Sequence, residues 1–163
     1  MDKQIQFHIK TVQNSVNIIK EMFKYLKKKY SFPINTKTLK KIKQDDYTTL
    51  DVIAYRFLKT QSILGEKLFK EILEYSEFDT VGKSYVEILS ELERGDIIDV
   101  FEWKQLRDLR NTLAHDYPYD EQLIADALND LYYKIETLEK IISKIKDLYD
   151  KITEIKERRN QNN

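Results

Sequence analysis

Two stretches at opposite ends of the chain carry the same unbroken apolar rhythm. In residues 2–30 the apolar positions are Ile5, Ile9, Val12, Val16, Ile19, Phe23, Leu26 and Tyr30. In the last third they are Ile124, Leu128, Leu131, Ile135, Leu138, Ile142, Ile145, Tyr149 and Ile152. Both series step alternately by four and by three, which is a heptad stripe, and only a helix puts such a set on one side. The second run implies a helix of about 35 residues, a rod on the order of 50 Å. Two long helices of this kind suit antiparallel pairing at crossing angles near about +20°. The expected fold class is therefore all-α, an antiparallel helical bundle with long N- and C-terminal helices.

The sequence between them reads as shorter helices. Phe32–Pro33 breaks the first helix, and Leu39 and Ile42 suggest a short turn before Asp46. Thr48 or Thr49 offers an N-cap for a helix carrying Leu50, Ile53, Phe57, Leu64, Leu68, Ile72 and Tyr75. Gly65 inside it predicts a close helix crossing or a bend. Residues 79–83 form a link, Ser84 caps a short helix, and Gly95 falls at its C′ position. Asp96 or Asp99 caps a further helix that runs to about Ala114, and Asp120 caps the last one. Beyond Ile155 the charged, amide-rich end is expected to fray. With 163 residues the chain is most simply one domain. Residues 1–45 supply the first helix and its link, 46–157 the rest of the bundle, and 158–163 a frayed tail.

Composition narrows the chemistry. Lys plus Arg and Asp plus Glu number 28 each, which argues against holding nucleic acid by bulk charge while leaving room for a small local site. There is no cysteine, hence no disulfide, thiol nucleophile or thiolate metal site, and two distant histidines do not make a zinc site. No cofactor is expected. No long uncharged apolar run is present and the first residues are polar, so the expectation is a soluble cytoplasmic protein with no membrane contact. His8 lies beside the first stripe and reads as a rim histidine without chemistry. Lys27, Lys28 and Lys29 read as cations at a helix C-terminus. Asp51, Tyr55 and Arg56 are polar groups that face either a site or, more simply, solvent.

The stretch that carries chemistry is Arg110-Asn111-Thr112-Leu113-Ala114-His115-Asp116-Tyr117, followed by Pro118. It closes a helix whose apolar side is Trp103, Leu106, Leu109 and Leu113. Arg107, Asn111 and His115 form a row on another side. Arg110 and His115 stand about 140° apart on a continuous helix, so they converge only if the helix loosens near Ala114 or if a second copy completes the site. Pro118 disfavours helix at Tyr117, which makes loosening plausible. A neutral imidazole accepts a proton near neutral pH, and a guanidinium binds a phosphate bidentately. RNA brings its own nucleophile in the 2′-hydroxyl. The plainer reading of the same side chains is a carbonyl cap and a surface residue, and Tyr117 or Tyr119 packing over the helix end. Both Arg110 and His115 are expected to be largely exposed.

The run Arg110-(four residues)-His115-Asp116-Tyr117 resembles the R-x4-H-x-Y motif of HepT-type toxins of the HEPN superfamily, and Asn111 after the arginine is also typical there. The resemblance in pattern covers residues 45–150, and the first forty residues look like an addition or a divergent first helix. It implies a HEPN-like bundle, a homodimer, and a metal-independent endoribonuclease acting on RNA. Arg110 and His115 would be catalytic, with Asn111 and Arg107 in support. It also implies an MntA-like nucleotidyltransferase antitoxin as partner, which transfers AMP onto the tyrosine, here Tyr117. The alternative is a non-catalytic helical subunit that uses Arg110, His115 and Tyr117 to dock a small nucleotidyltransferase.

Overall fold

The computed structural model describes residues 2–115 and 120–161, with His115 described by its backbone alone. Every regular element among these residues is helical: α1 Asp2–Lys27, α2 Thr36–Lys41, α3 Gln44–Ile63, α4 Phe69–Tyr75, α5 Tyr85–Arg94, α6 Val100–His115 and α7 Glu121–Gln161. The fold is an all-α bundle. Its four long members are α1, the continuous α3–α4 unit, α6 and α7. Helix α1 packs on α3 and α7, and α6 packs on the same two.

The long members alternate in direction. Asp2 and Gln6 reach Tyr149, Lys20 meets Glu139, and Lys27 meets Tyr132, so α1 and α7 are antiparallel. Gln4 and His8 meet Glu71, and Lys29 meets Asp46, so α1 and α3–α4 are antiparallel too. Trp103 lies against Phe69 while Arg110 reaches Ser62, and Asp96 meets Lys144 while Gln105 meets Lys134. These pairs give the same sense for α6 against both of its neighbours. The heptad positions of α1 and α7 from Ile5 to Leu26 and from Ile124 to Tyr149 are buried, which is the packing their spacing predicts.

Several boundaries differ from the sequence reading, each for a visible reason. Helix α3 begins at Gln44, not at Thr48 or Thr49, whose hydroxyls instead donate to the Gln44 and Asp45 carbonyls. The early start is held by Asp46, only 2% exposed, which accepts from Lys29 Nζ at 3.0 Å and from Tyr30 Oη at 2.7 Å. These bonds, Tyr30's first, hold the Asp46 carboxyl below its ordinary pKa, and the bond to Asp46 raises that of Tyr30. Lys27 and Lys29 therefore tie elements together and do more than face a dipole. His8 is buried, not on the rim, because Glu71 of α4 reaches across to its Nδ1 at 2.7 Å. At the end of α5 the left-handed residue is Asp96, φ 56°, with Gly95 one place earlier as the cap itself. The Ile97 N–H bonds to the Leu92 carbonyl and that of Asp96 to Glu93, a Schellman closure. The Ser84–Glu87 capping box forms as its spacing predicts.

Two differences bear on function. Residues Leu64–Leu68 are π-helical, so α3 and α4 join through a bulge with Gly65 in it. A Cβ on Gly65 would lie 3.0 Å from Trp103 Cζ2 and 3.1 Å from Tyr85 Oη, so the glycine serves both a close crossing and the change of helical pitch. Helix α7 continues to Gln161, where fraying was expected past Ile155. It outruns α1 and docks on α4 instead: Lys156 Nζ donates to the Tyr75 carbonyl at 2.8 Å and sits over the Tyr75 ring.

Candidate functional site

Burial of Trp103, Leu106, Leu109 and Leu113 fixes how α6 is rotated against α3 and α7. That rotation turns Arg107, Arg110 and Asn111 into one open cleft of about 490 Å³. The other wall comes from Lys70 of α4 and from Lys83 and Tyr85 at the start of α5, while Gln61 and Gly65 lie along α3 and the bulge. Glu66 is the one carboxylate among the described lining residues.

Arg110 is half-buried, not largely exposed as its helix-end position suggested. Among the described residues its contacts are neutral and long: Nη2 donates to Ser62 Oγ at 3.4 Å and Nη1 to Asn111 Oδ1 at 3.5 Å. Its Nε is buried with no partner among the described residues. A guanidinium in this state is held in place with most of its donor capacity unspent, the condition for accepting an anion. Arg107 lies over the Tyr85 ring, 5.0 Å from the centroid. Tyr85 Oη accepts from Trp103 Nε1 at 2.9 Å, which leaves the phenolic proton free to donate. Arg56 of α3 repeats the Arg110 pattern, half-buried with an unpartnered Nε. Tyr55 and Asp51 are exposed.

Helix α6 stays α-helical through His115. No loosening occurs at Ala114, so the backbone positions of Arg110 and His115 remain about 140° apart around the axis. The His115 side chain, and Asp116, Tyr117, Pro118 and Tyr119, lie outside the described residues. The structure thus brings Arg107, Arg110 and Asn111 together and adds Gln61, Ser62, Lys70, Lys83 and Tyr85, which the sequence reading did not single out. The last three sit on segments with no shared periodicity with α6. The only local hint was Gly65, whose missing side chain opens the floor. Among the described residues no group of three or more His, Asp or Glu side chains is arranged to hold a metal ion, and no helix is long and apolar enough to cross a membrane.

Compared with protein-family models, with curated proteins and with solved structures, the chain matched none.

Proposed function

We propose that this chain is a HepT-like toxin of the HEPN type, an endoribonuclease that needs no metal and works as a homodimer. The observation that carries the reading is Arg110: a half-buried guanidinium with, among the described residues, only neutral, long contacts and an orphaned Nε, facing a cation-rich cleft about one and a half turns before His115. In the proposed reaction the RNA 2′-oxygen attacks the adjacent phosphorus and the bond from phosphorus to the 5′-oxygen breaks. His115 takes the 2′-hydroxyl proton or supplies one to the departing 5′-oxygen. Arg110 holds the phosphate and stabilises the charge that builds on it, Asn111 orients the phosphate or His115, and Arg107 supports them. The products are a cyclic 2′,3′-phosphate and a free 5′-hydroxyl. The angular separation of Arg110 and His115 on one unbroken helix favours a site completed by a second copy.

Control rests on Tyr117. A partner nucleotidyltransferase of the MntA kind joins the α-phosphorus of ATP to the Tyr117 oxygen and releases pyrophosphate. The AMP phosphate then competes for Arg110.

Expression of this chain alone is expected to arrest growth, and His115→Ala to relieve the arrest. Purified protein should cleave RNA in EDTA. An AMP-sized mass increment should appear with the partner and ATP and vanish in Tyr117→Phe. Cleavage that requires magnesium refutes the metal-free mechanism. A chain that neither arrests growth nor cleaves, yet binds the nucleotidyltransferase through Arg110, is a docking subunit instead.

A further inference from the structure

The cleft is larger than the binding of one scissile phosphate requires. Its volume of about 490 Å³ lies within the range of clefts that enclose a small organic ligand, about 300–1,000 Å³. Its charge is also out of proportion to the molecule. The chain as a whole is neutral, whereas among the described residues Lys70, Lys83, Arg107 and Arg110 line the cleft against a single carboxylate, Glu66.

These charges are weakly compensated. Lys70 stands 3.7 Å from Glu74 and Lys83 3.5 Å from Glu87, both at exposed side chains. Glu87 is already engaged by the Ser84 backbone and hydroxyl in the capping box. Among the described residues the two guanidiniums have only uncharged partners, a ring for Arg107 and a hydroxyl and an amide for Arg110. Cations therefore come from two walls, the arginines from α6 and the lysines from α4 and the start of α5. This arrangement is suited to more than one phosphate.

The remaining lining groups are those that recognise a base. The Tyr85–Arg107 pair presents a planar, polarisable surface, on which nucleobases stack. Gln61 and Asn111 each carry a donor and an acceptor side by side, the pattern that matches a base edge. Tyr85 has a hydroxyl proton to donate, since its oxygen accepts from Trp103. Gly65 lies in the floor where an added Cβ would crowd Trp103 and Tyr85, 3.0 and 3.1 Å away. A simple inorganic anion or a carboxylic acid would leave the stacking surface and both amides without a role.

We infer that this cleft is a nucleotide subsite: it holds the RNA residue next to the scissile phosphate, base against Tyr85 and Arg107, with its outer phosphate between Lys70 and Lys83. The identity of the strand rests on the ribonuclease reading, whereas the subsite rests on the cleft. The test uses the full chain and a short, fully 2′-O-methylated oligoribonucleotide, which cannot be cleaved, with binding read by fluorescence anisotropy over a salt series. Lys70→Glu and Lys83→Glu are each expected to weaken binding about tenfold and to reduce the salt slope by about 0.7, the loss of one single-strand phosphate contact. Lys83→Gln should fall between, and Lys24→Glu on α1 should change nothing. In cleavage of the unmethylated oligonucleotide, Lys83→Glu should raise KM by the same factor with kcat within about twofold. Melting curves matching the wild type show that these exposed substitutions leave the fold intact.

Affinity and salt slope unchanged in both lysine variants overturn the subsite, even if the wild type cleaves RNA. AMP binding as tightly as the oligonucleotide overturns its assignment to a strand. A wild type that binds through Lys70 and Lys83 but cleaves nothing upholds the subsite and refutes the ribonuclease reading.

Discussion

The seam between α1 and α7 and the interface between α3 and α6 are both built on buried apolar stripes, yet they treat polar groups in opposite ways. Along the first seam, polar groups that reach inward find partners. Tyr149 Oη donates to Asp2 at 2.5 Å and accepts from Gln6 at 2.6 Å, and Lys27 donates to Tyr132 at 2.7 Å. Along the second, Arg110 Nε is buried with no partner; α3 adds Arg56 Nε and Thr60 Oγ1, and these three are the only such side-chain atoms among the described residues. The same interface contains the π-helical segment and the glycine pressed against Trp103. A buried donor or acceptor left unmade costs about 1–3 kcal/mol, so a chain that satisfies its polar groups elsewhere and neglects them here has a local compromise to explain. Compromise of that kind gathers where a ligand supplies the missing partner.

If that contrast is sound, the two regions respond differently to substitution. Ile19 of α1 is fully buried, and Ile19→Ala is expected to lower stability by about 2–5 kcal/mol while leaving RNA cleavage per folded molecule unchanged. Arg110→Ala should do the reverse, with cleavage reduced about 10²–10³-fold and stability moved by less than about 1 kcal/mol. Urea unfolding and initial rates on the same preparations measure both. An Arg110→Ala protein that unfolds as readily as Ile19→Ala would make Arg110 a packing residue and erase the distinction.

The satisfied region has its own pH signature. Asp46 has a folded-state pKa below its unfolded one, chiefly because Tyr30 donates to it and then because Lys29 does. Its contribution is therefore fully present above the unfolded value of about 4 and is lost as pH falls through the lower folded value. Tyr30 is shifted the other way, raised by its bond to Asp46, so its contribution holds below about pH 10 and fades as pH rises further. Stability from this cluster should be flat through neutral pH and fall in acid. Asp46→Asn should lower the melting temperature at pH 7 and flatten the acid limb. A wild-type acid limb that Asp46→Asn leaves unchanged would show that other carboxylates set it.

How much of this was legible in the sequence follows from the range of the forces involved. The α1 and α7 stripes could be read because the heptad spacing is local and each burial is decided by residues three or four places away. The start of α3 could not: Gln44 and Lys43 carry no capping signal, and the helix begins there because Asp46 is caught by Lys29 and Tyr30 from another element. His8 was misread for the same reason, since its partner Glu71 arrives from across the bundle. The motif was visible as a run of residue types, and with it Arg107, Arg110 and Asn111. The cleft was not, because Lys70, Lys83 and Tyr85 reach it from segments whose own patterns report only helix caps and exposed faces.

A smaller effect has the opposite sign. Thr60 is fully buried and its hydroxyl has no partner. Valine has nearly the same shape and a similar helix propensity, so Thr60→Val removes an unmet polar group without opening a cavity. A gain of about 1 kcal/mol is expected, read as a rise in the urea midpoint with unchanged slope. The same logic applied to Thr153 predicts no gain, because its hydroxyl donates to the Tyr149 carbonyl at 2.9 Å and lies 3.1 Å from Tyr75 Oη. Thr60→Val that destabilises would mean that the hydroxyl is bonded in solution, and α3 would hold one unmet polar group fewer than its geometry indicates.

The smallest expected effect concerns the end of α7, where composition argued for fraying and the helix instead continues. Beyond Tyr149 the helix has passed the start of α1 and has only α4 to lean on. What it offers there is Tyr149 stacked on Tyr75 and Lys156 donating to the Tyr75 carbonyl while lying 3.9 Å from the centre of that ring. Arg159 and Glu77 stand 3.5 Å apart but are both well exposed, and such a pair is worth little. The lysine therefore carries most of the specific attachment. Lys156→Gln keeps a helix former and a donor but removes the charge over the ring, so global stability should fall by only about 0.5 kcal/mol. The local change should be larger in proportion. Amide exchange over residues 157–161, slowed in the wild type relative to a free helix end, is expected to speed up several-fold, with exchange at Ile142 and Ile145 unchanged. Equal and fast exchange at residues 157–161 in both proteins would show that the terminal turns are not held through Tyr75.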